Sequence, residues 1–158
     1  MALKNFQGQG PNWVGSYQTA GTPYVTSSNA TGTTAGPNRI QFPYVTKTLT
    51  VRNHGAVDLR VAFSMSGSYA VGETVKGGQT KPQSSATNDQ GNNFFTLPAI
   101  AATVAPSQVT LDVRCKEIFL MSAHSTTETA YSLYAGLTGI STDQFPVLSA
   151  SNEFKGIG

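Results

Sequence analysis

Alternation with a period of two governs this sequence. Across residues 57–65, Val57, Leu59, Val61, Phe63 and Met65 alternate with Asp58, Arg60, Ala62 and Ser64. Successive side chains of a strand point to opposite faces, so this segment puts five apolar groups on one face. Residues 45–52 are β-branched and alternate more loosely. Asn53-His54-Gly55-Ala56 joins the two runs, and Asn and Gly tolerate the left-handed conformations of a tight turn. Residues 44–65 therefore read as a β-hairpin. A further strand covers residues 109–116, with apolar positions odd through Cys115 and then even at Ile118 and Leu120. That phase change predicts a β-bulge near Lys116-Glu117. Tyr131, Leu133, Ala135 and Leu137 form another period-two set. Shorter strands are expected over residues 40–42, 69–75, 93–97 and 144–148, with Pro43 interrupting the first. No window carries apolar residues at i, i+3, i+4 and i+7, and no helix is capped at both ends. Short strands separated by Gly, Pro, Asn and Ser indicate an all-β fold, an antiparallel β-sandwich.

At 158 residues one domain is expected, large enough to hold a core without staples. Residues 26–148 form the sandwich in this reading. Residues 1–25 are an extended, irregular N-terminal arm and residues 149–158 a C-terminal tail. Residues 26–38 and 76–92, rich in Gly, Ser, Thr and Asn, read as loops. The single Cys115 allows no internal disulfide. No apolar run approaches the length of a bilayer span, so no membrane span is expected. The first residues have no apolar stretch of signal-peptide length, so export through such a signal is not expected.

Only 11% of residues are charged, with ten Lys or Arg against eight Asp or Glu and a net charge of +2. Ordinary globular chains carry about 25%. Ser and Thr, about a fifth of the chain, fill the gap. A disordered polyelectrolyte is excluded by the 39% hydrophobic content. The basic residues are scattered and form no stripe interleaved with aromatics, so no nucleic-acid partner is expected.

Residues that carry chemistry are few. His54 sits in the expected hairpin turn and reads as a solvated turn residue. His124 lies in Ser122-Ala123-His124-Ser125, which lacks the buried orienting carboxylate a catalytic triad needs. Cys115, in phase with Val109, Leu111 and Val113, reads as a small buried hydrophobe and not a nucleophile. Two histidines and one distant cysteine do not make a closed zinc site. Asp58 with Arg60, and Asp112 with Arg114, read as cross-strand ion pairs on polar strand faces. No phosphate-binding glycine motif precedes a helix. No catalytic residue, metal or cofactor is expected, and the chain does not read as an enzyme. Asn29-Ala30-Thr31 matches the glycosylation pattern, which matters only on a secretory route. Aromatics gather in the first residues. Phe6, Trp13, Tyr17 and Tyr24, with Phe154 at the other end, are candidate interface anchors, because Trp and Tyr dominate interface hot spots.

The order of several phrases resembles small capsid-associated β-sandwich proteins of double-stranded DNA viruses. Trp13-Val14-Gly15-Ser16-Tyr17 opens the chain, running on through Gly21-Thr22-Pro23-Tyr24-Val25-Thr26. Phe42-Pro43-Tyr44-Val45-Thr46-Lys47, Val51-Arg52-Asn53-His54-Gly55 and Leu59-Arg60-Val61-Ala62-Phe63-Ser64 follow. Asn93-Phe94-Phe95-Thr96-Leu97-Pro98 is next. Leu111-Asp112-Val113-Arg114-Cys115, continuing to Leu120, and Ala135-Gly136-Leu137-Thr138 come late. The resemblance implies a single jelly roll in a virion, serving as penton, minor capsid or cement subunit. It implies capsid proteins and further copies of itself as partners, and no catalytic residues. Residues alone leave strand order open between jelly roll and immunoglobulin-like sandwich. They also leave open a lectin-like module of a viral fibre or surface protein that binds glycans. Charge-poor surfaces lower the desolvation cost of subunit contacts, since interface cores are depleted in Lys, Glu and Asp.

Overall fold

The structure is a computed structural model and describes residues 21–78, 81, 92–100 and 106–148. Eight strands follow in order: β1 Thr22–Ala30, β2 Asn38–Gln41, β3 Tyr44–Asn53, β4 Leu59–Ala62, β5 Phe94–Leu97, β6 Gln108–Leu111, β7 Glu117–Ser122 and β8 Thr129–Ser141. Two short 3-10 turns lie at Ser66–Ser68 and Thr142–Gln144. The strands form two four-stranded antiparallel sheets packed as an all-β sandwich. The first has the order β1-β8-β3-β6 and the second β2-β7-β4-β5. The first strand pairs with the last, the second with the seventh, the third with the sixth and the fourth with the fifth. This is the pairing of one long two-stranded ribbon wound into two layers. The pairs β3·β8 and β4·β7 close the winding.

The core lies between the layers. Leu49 and Val51 of β3, and Tyr131, Leu133, Ala135 and Leu137 of β8, point inward from the first sheet. Ile40, Leu59, Val61, Ile118 and Leu120 meet them from the second. Most are fully removed from water, each contributing about 1.5–3 kcal/mol by burial. Cys115 belongs to this cluster, as its phase indicates. Thr46 satisfies the polar groups beside it. Its hydroxyl donates to Val113 O at 2.7 Å and accepts the Cys115 amide at 3.0 Å.

Sheet assignment departs from the sequence reading in two places. Residues 44–65 do not form a hairpin. β3 is flanked by β8 and β6, while β4 is flanked by β7 and β5 in the other sheet. The connection over residues 54–58 crosses the sandwich. Likewise, the phase change at Lys116-Glu117 is not a bulge. The chain leaves β6 in the first sheet and enters β7 in the second. In both cases two strands aim apolar faces into one core from opposite sides; alternation keeps its phase across residues 54–58 and shifts by one at Lys116-Glu117, and neither pattern reports the change of sheet.

Three smaller corrections follow. The expected boundary between arm and sandwich after residue 25 falls inside β1, which begins at Thr22. Residues 26–38, read as a loop, contain the rest of β1 and the start of β2. The strands expected over residues 69–75 and 144–148 are absent. The first region is a turn-rich crossing containing buried Tyr69, and the second is irregular after the last 3-10 turn.

Candidate assembly surface

The two sheets are finished differently on their outer sides. In the second sheet every residue of β4 and β7 is buried, on both faces. The segment after β4, residues 63–78 with Lys81, covers that side, and its 3-10 turn packs against β4 and β7. Arg60 on β4 fixes this cover. Its guanidinium meets the Glu73 carboxylate through two bonds of 2.5 and 2.9 Å and lies 4.8 Å from the centre of the Phe94 ring. Glu73 also accepts the Ala70 amide at 2.8 Å. Burial raises the Glu73 pKa, but bonds from Arg60 and the Ala70 amide, with the charges of Arg60 and Lys81, outweigh it and hold the carboxyl below its ordinary value. Lys81 Nζ donates to Tyr69 O at 3.0 Å and Asn93 Oδ1 at 3.2 Å. Burial lowers its pKa, Glu73 opposes that shift and Arg60 reinforces it.

Arg60 therefore pairs with Glu73 and not with Asp58, correcting the expected ion pair. Asp58 precedes β4 and accepts the Ala99 amide through Oδ1 at 2.7 Å. Sequence reading missed Glu73 and Lys81 because they come from a loop, and no periodicity flags a loop residue that folds back over a sheet.

The first sheet carries no such cover among the described residues. Pairing registers align Val25, Tyr134, Thr50 and Thr110 in one row across all four strands of its outer face. Val25 is 70% exposed and Tyr134 43%. The Thr50 and Thr110 hydroxyls bond each other at 3.0 Å. The next row is Ser27, Ser132, Arg52 and Gln108, with one charge in four. His54 closes this end, exposed, with Nε2 2.7 Å from Ser132 Oγ. Among the described residues this face carries mainly hydroxyls, with the side chains of Val25 and Tyr134, the amide of Gln108 and one cation, Arg52.

Of the candidate anchors, only Tyr24 lies among the described residues. It stands within β1, half-buried, and meets Phe42 edge-to-face with ring centroids 5.3 Å apart. It closes the rim of the core and is not an arm residue. Phe6, Trp13, Tyr17 and Phe154 lie outside the described residues.

At one end of the sandwich Asn53 ties the crossing together. Its Nδ2 reaches Val57 O at 2.9 Å, Leu97 O at 3.1 Å and Pro98 O at 3.0 Å. Its Oδ1 accepts the Gly55 amide at 2.9 Å and the Thr129 hydroxyl at 3.0 Å. Gly55 is required here, since a Cβ would sit 2.8 Å from the Ala130 amide nitrogen.

Chemistry-bearing side chains are dispersed. The imidazole of His124 accepts the Thr126 and Thr127 amides at Nδ1 and so caps its own turn. Cys115 is buried, and burial, only partly offset by the bond to Thr46, raises its pKa to about 11. No group of three or more His, Cys, Asp or Glu is arranged to hold a metal among the described residues. No helix among them is long and apolar enough to cross a membrane. A groove of about 450 Å³ is open and lined by Thr33, Thr34 and residues 73–78. No protein-family model, curated protein or solved structure matches this chain.

Proposed function

We propose that this chain is a virion structural protein, a penton, minor capsid or cement subunit acting through protein–protein contacts, and that its sandwich is a jelly roll. The winding order supports the jelly roll, since two interleaved sheets of four strands follow from wrapping one long ribbon. The observation that carries the functional reading is the difference between the two outer faces. One is sealed by its own chain. The other, uncovered among the described residues, carries one charge, Arg52, in its two central rows and exposes Val25 and Tyr134. Such a face loses little desolvation energy when a neighbour covers it.

Sedimentation equilibrium across a wide concentration range tests this. Association is expected, with copy number read by native mass spectrometry. A monodisperse monomer at high concentration overturns the reading. A second reading, a glycan-binding module, has one observation in its favour: the groove rimmed by Thr33, Thr34 and Thr74. Its lining contains no aromatic ring to stack on a sugar. Binding on a glycan array together with a stable monomer would favour this reading over assembly.

A further inference from the structure

We infer that β1 is a docking edge for a second copy of the chain: two molecules join antiparallel, β1 to β1, across a twofold axis. Resting on the assembly reading above, this names the partner and the contact. The two sheets have four edges among the described residues. β2, β5 and β6 are four residues each. β2 carries Arg39 and lies between Pro37 and Pro43, β5 runs into Pro98, and β6 runs into Asp112. These are the devices that keep edges from pairing: short length, charge and proline.

β1 has little of this protection. It spans nine residues, Thr22–Ala30, or about 30 Å of strand. All nine pair with β8 in an unbroken register from Thr22↔Leu137 to Ala30↔Thr129, so no bulge bends the edge away. Its sequence contains no Asp, Glu, Lys or Arg. Pro23 stands at its second position, where it removes a donor only near the start.

The opposite side of a strand presents amide and carbonyl groups that only another extended strand satisfies as a row. A twofold contact sets a strand against itself, so a charge at or beside the axis lies close to the same charge on the copy. A charge-free strand is free of that penalty. With Thr26 on the axis, Thr26 faces Thr26, a pair of a type that stabilises neighbouring strands, and Val25 faces Ser27 with no like charges opposed. The joined sheet has eight strands, β6-β3-β8-β1 continuing into β1-β8-β3-β6. Val25 gains Ser27 of the copy as a lateral neighbour, and the outer face of the joined sheet stays open.

Charge exchange tests this on the full chain. The double variants V25K/S27K and V25E/S27E place charges on exposed positions that point away from the core. Each alone is expected to raise the dimer dissociation constant at least about tenfold in sedimentation equilibrium. Mixed in equal amounts, they are expected to restore association, with the mixed dimer identified by native mass spectrometry. T110K, on the edge strand at the far side of the same face, is expected to leave association unchanged. Association that survives both double variants, or is lost in T110K, overturns the β1 contact and leaves the assembly reading standing. Loss that mixing does not restore also overturns it, showing that something other than β1, such as residues 1–20, meets this edge. A monomeric wild type overturns both.

Discussion

Replacing Asn53 by alanine tests the account of how the chain crosses between layers. The side chain is fully buried and engages five backbone or hydroxyl groups within 3.1 Å. Its two amide hydrogens serve three carbonyls, so one bond is shared, and its oxygen serves two donors. About four full hydrogen bonds are at stake. Each contributes roughly 1 kcal/mol net, and more where a buried partner is left unsatisfied. Thr129 retains a partner, because its hydroxyl also reaches Val57 O at 2.8 Å. For the Pro98 carbonyl and the Gly55 amide no second bond is seen among the described residues. The expected loss is therefore about 3–4 kcal/mol, a large part of the 5–15 kcal/mol typical of a domain. Urea unfolding followed by tryptophan fluorescence or circular dichroism reads it. With an m-value of about 2 kcal/mol/M, the midpoint falls by roughly 1.5–2 M at unchanged m. Asn53→Asp keeps the acceptor oxygens, gives up the donors and faces three carbonyls with negative charge. It is expected to cost at least as much at neutral pH. A loss below about 1 kcal/mol in Asn53→Ala would refute the assignment of Asn53 as the tie of this crossing.

Three further outcomes are expected. Arg60→Ala removes the cation shared by Glu73 and the Phe94 ring, and a loss of about 3 kcal/mol is expected in urea unfolding, the low end for a broken buried pair because Glu73 is partly exposed. The lowered Glu73 pKa gives stability that is fully present above its ordinary value of 4.5 and lost as pH falls through the lower folded value. The stability gap between wild type and Glu73→Gln should therefore shrink on acidification below pH 4.5, and a gap that widens there contradicts the pairing. Cys115, buried with its pKa at about 11, should react with an aromatic disulfide reagent at pH 8 only on unfolding, and rapid full labelling of the native protein would contradict its burial.

Alternation made the inward faces of β3, β4 and β8 legible from Leu49, Val51, Leu59, Val61 and the Tyr131 to Leu137 set. It could not assign them to sheets. A strand pattern records which side chains face the core and not from which side they face it, so Val51 and Leu59 look the same in a hairpin and in a crossing. β1 escaped notice for a different reason. Its inward positions are Tyr24, Thr26, Ser28 and Ala30, and only the last is fully buried. An edge strand at the rim of a core needs few apolar residues, so it carries little periodic signal. The cover over the second sheet was invisible too, because the contact from Arg60 to Glu73 spans a loop whose residues follow no period.

The two outer faces explain why low charge is tolerable in this chain. Uncharged strand surfaces pair indiscriminately unless something limits where they do so. On the second sheet, the segment after β4 removes Phe119 and Met121 from solvent. The salt bridge between Arg39 and Glu117 adds charge at the β2 edge, with the Arg39 side chain 54% exposed. Arg39, Arg60 and Glu117 stand on the second sheet and Glu73 and Lys81 in its cover, whereas the two open rows of the first sheet carry one charge, Arg52. The open row from Val25 to Thr110, and the long edge of β1 beside it, carry none. In an assembling subunit this arrangement directs association to one side, since specificity comes as much from closing the wrong surfaces as from preparing the right one. The location of those charges therefore bears more directly on an assembly role than their scarcity does.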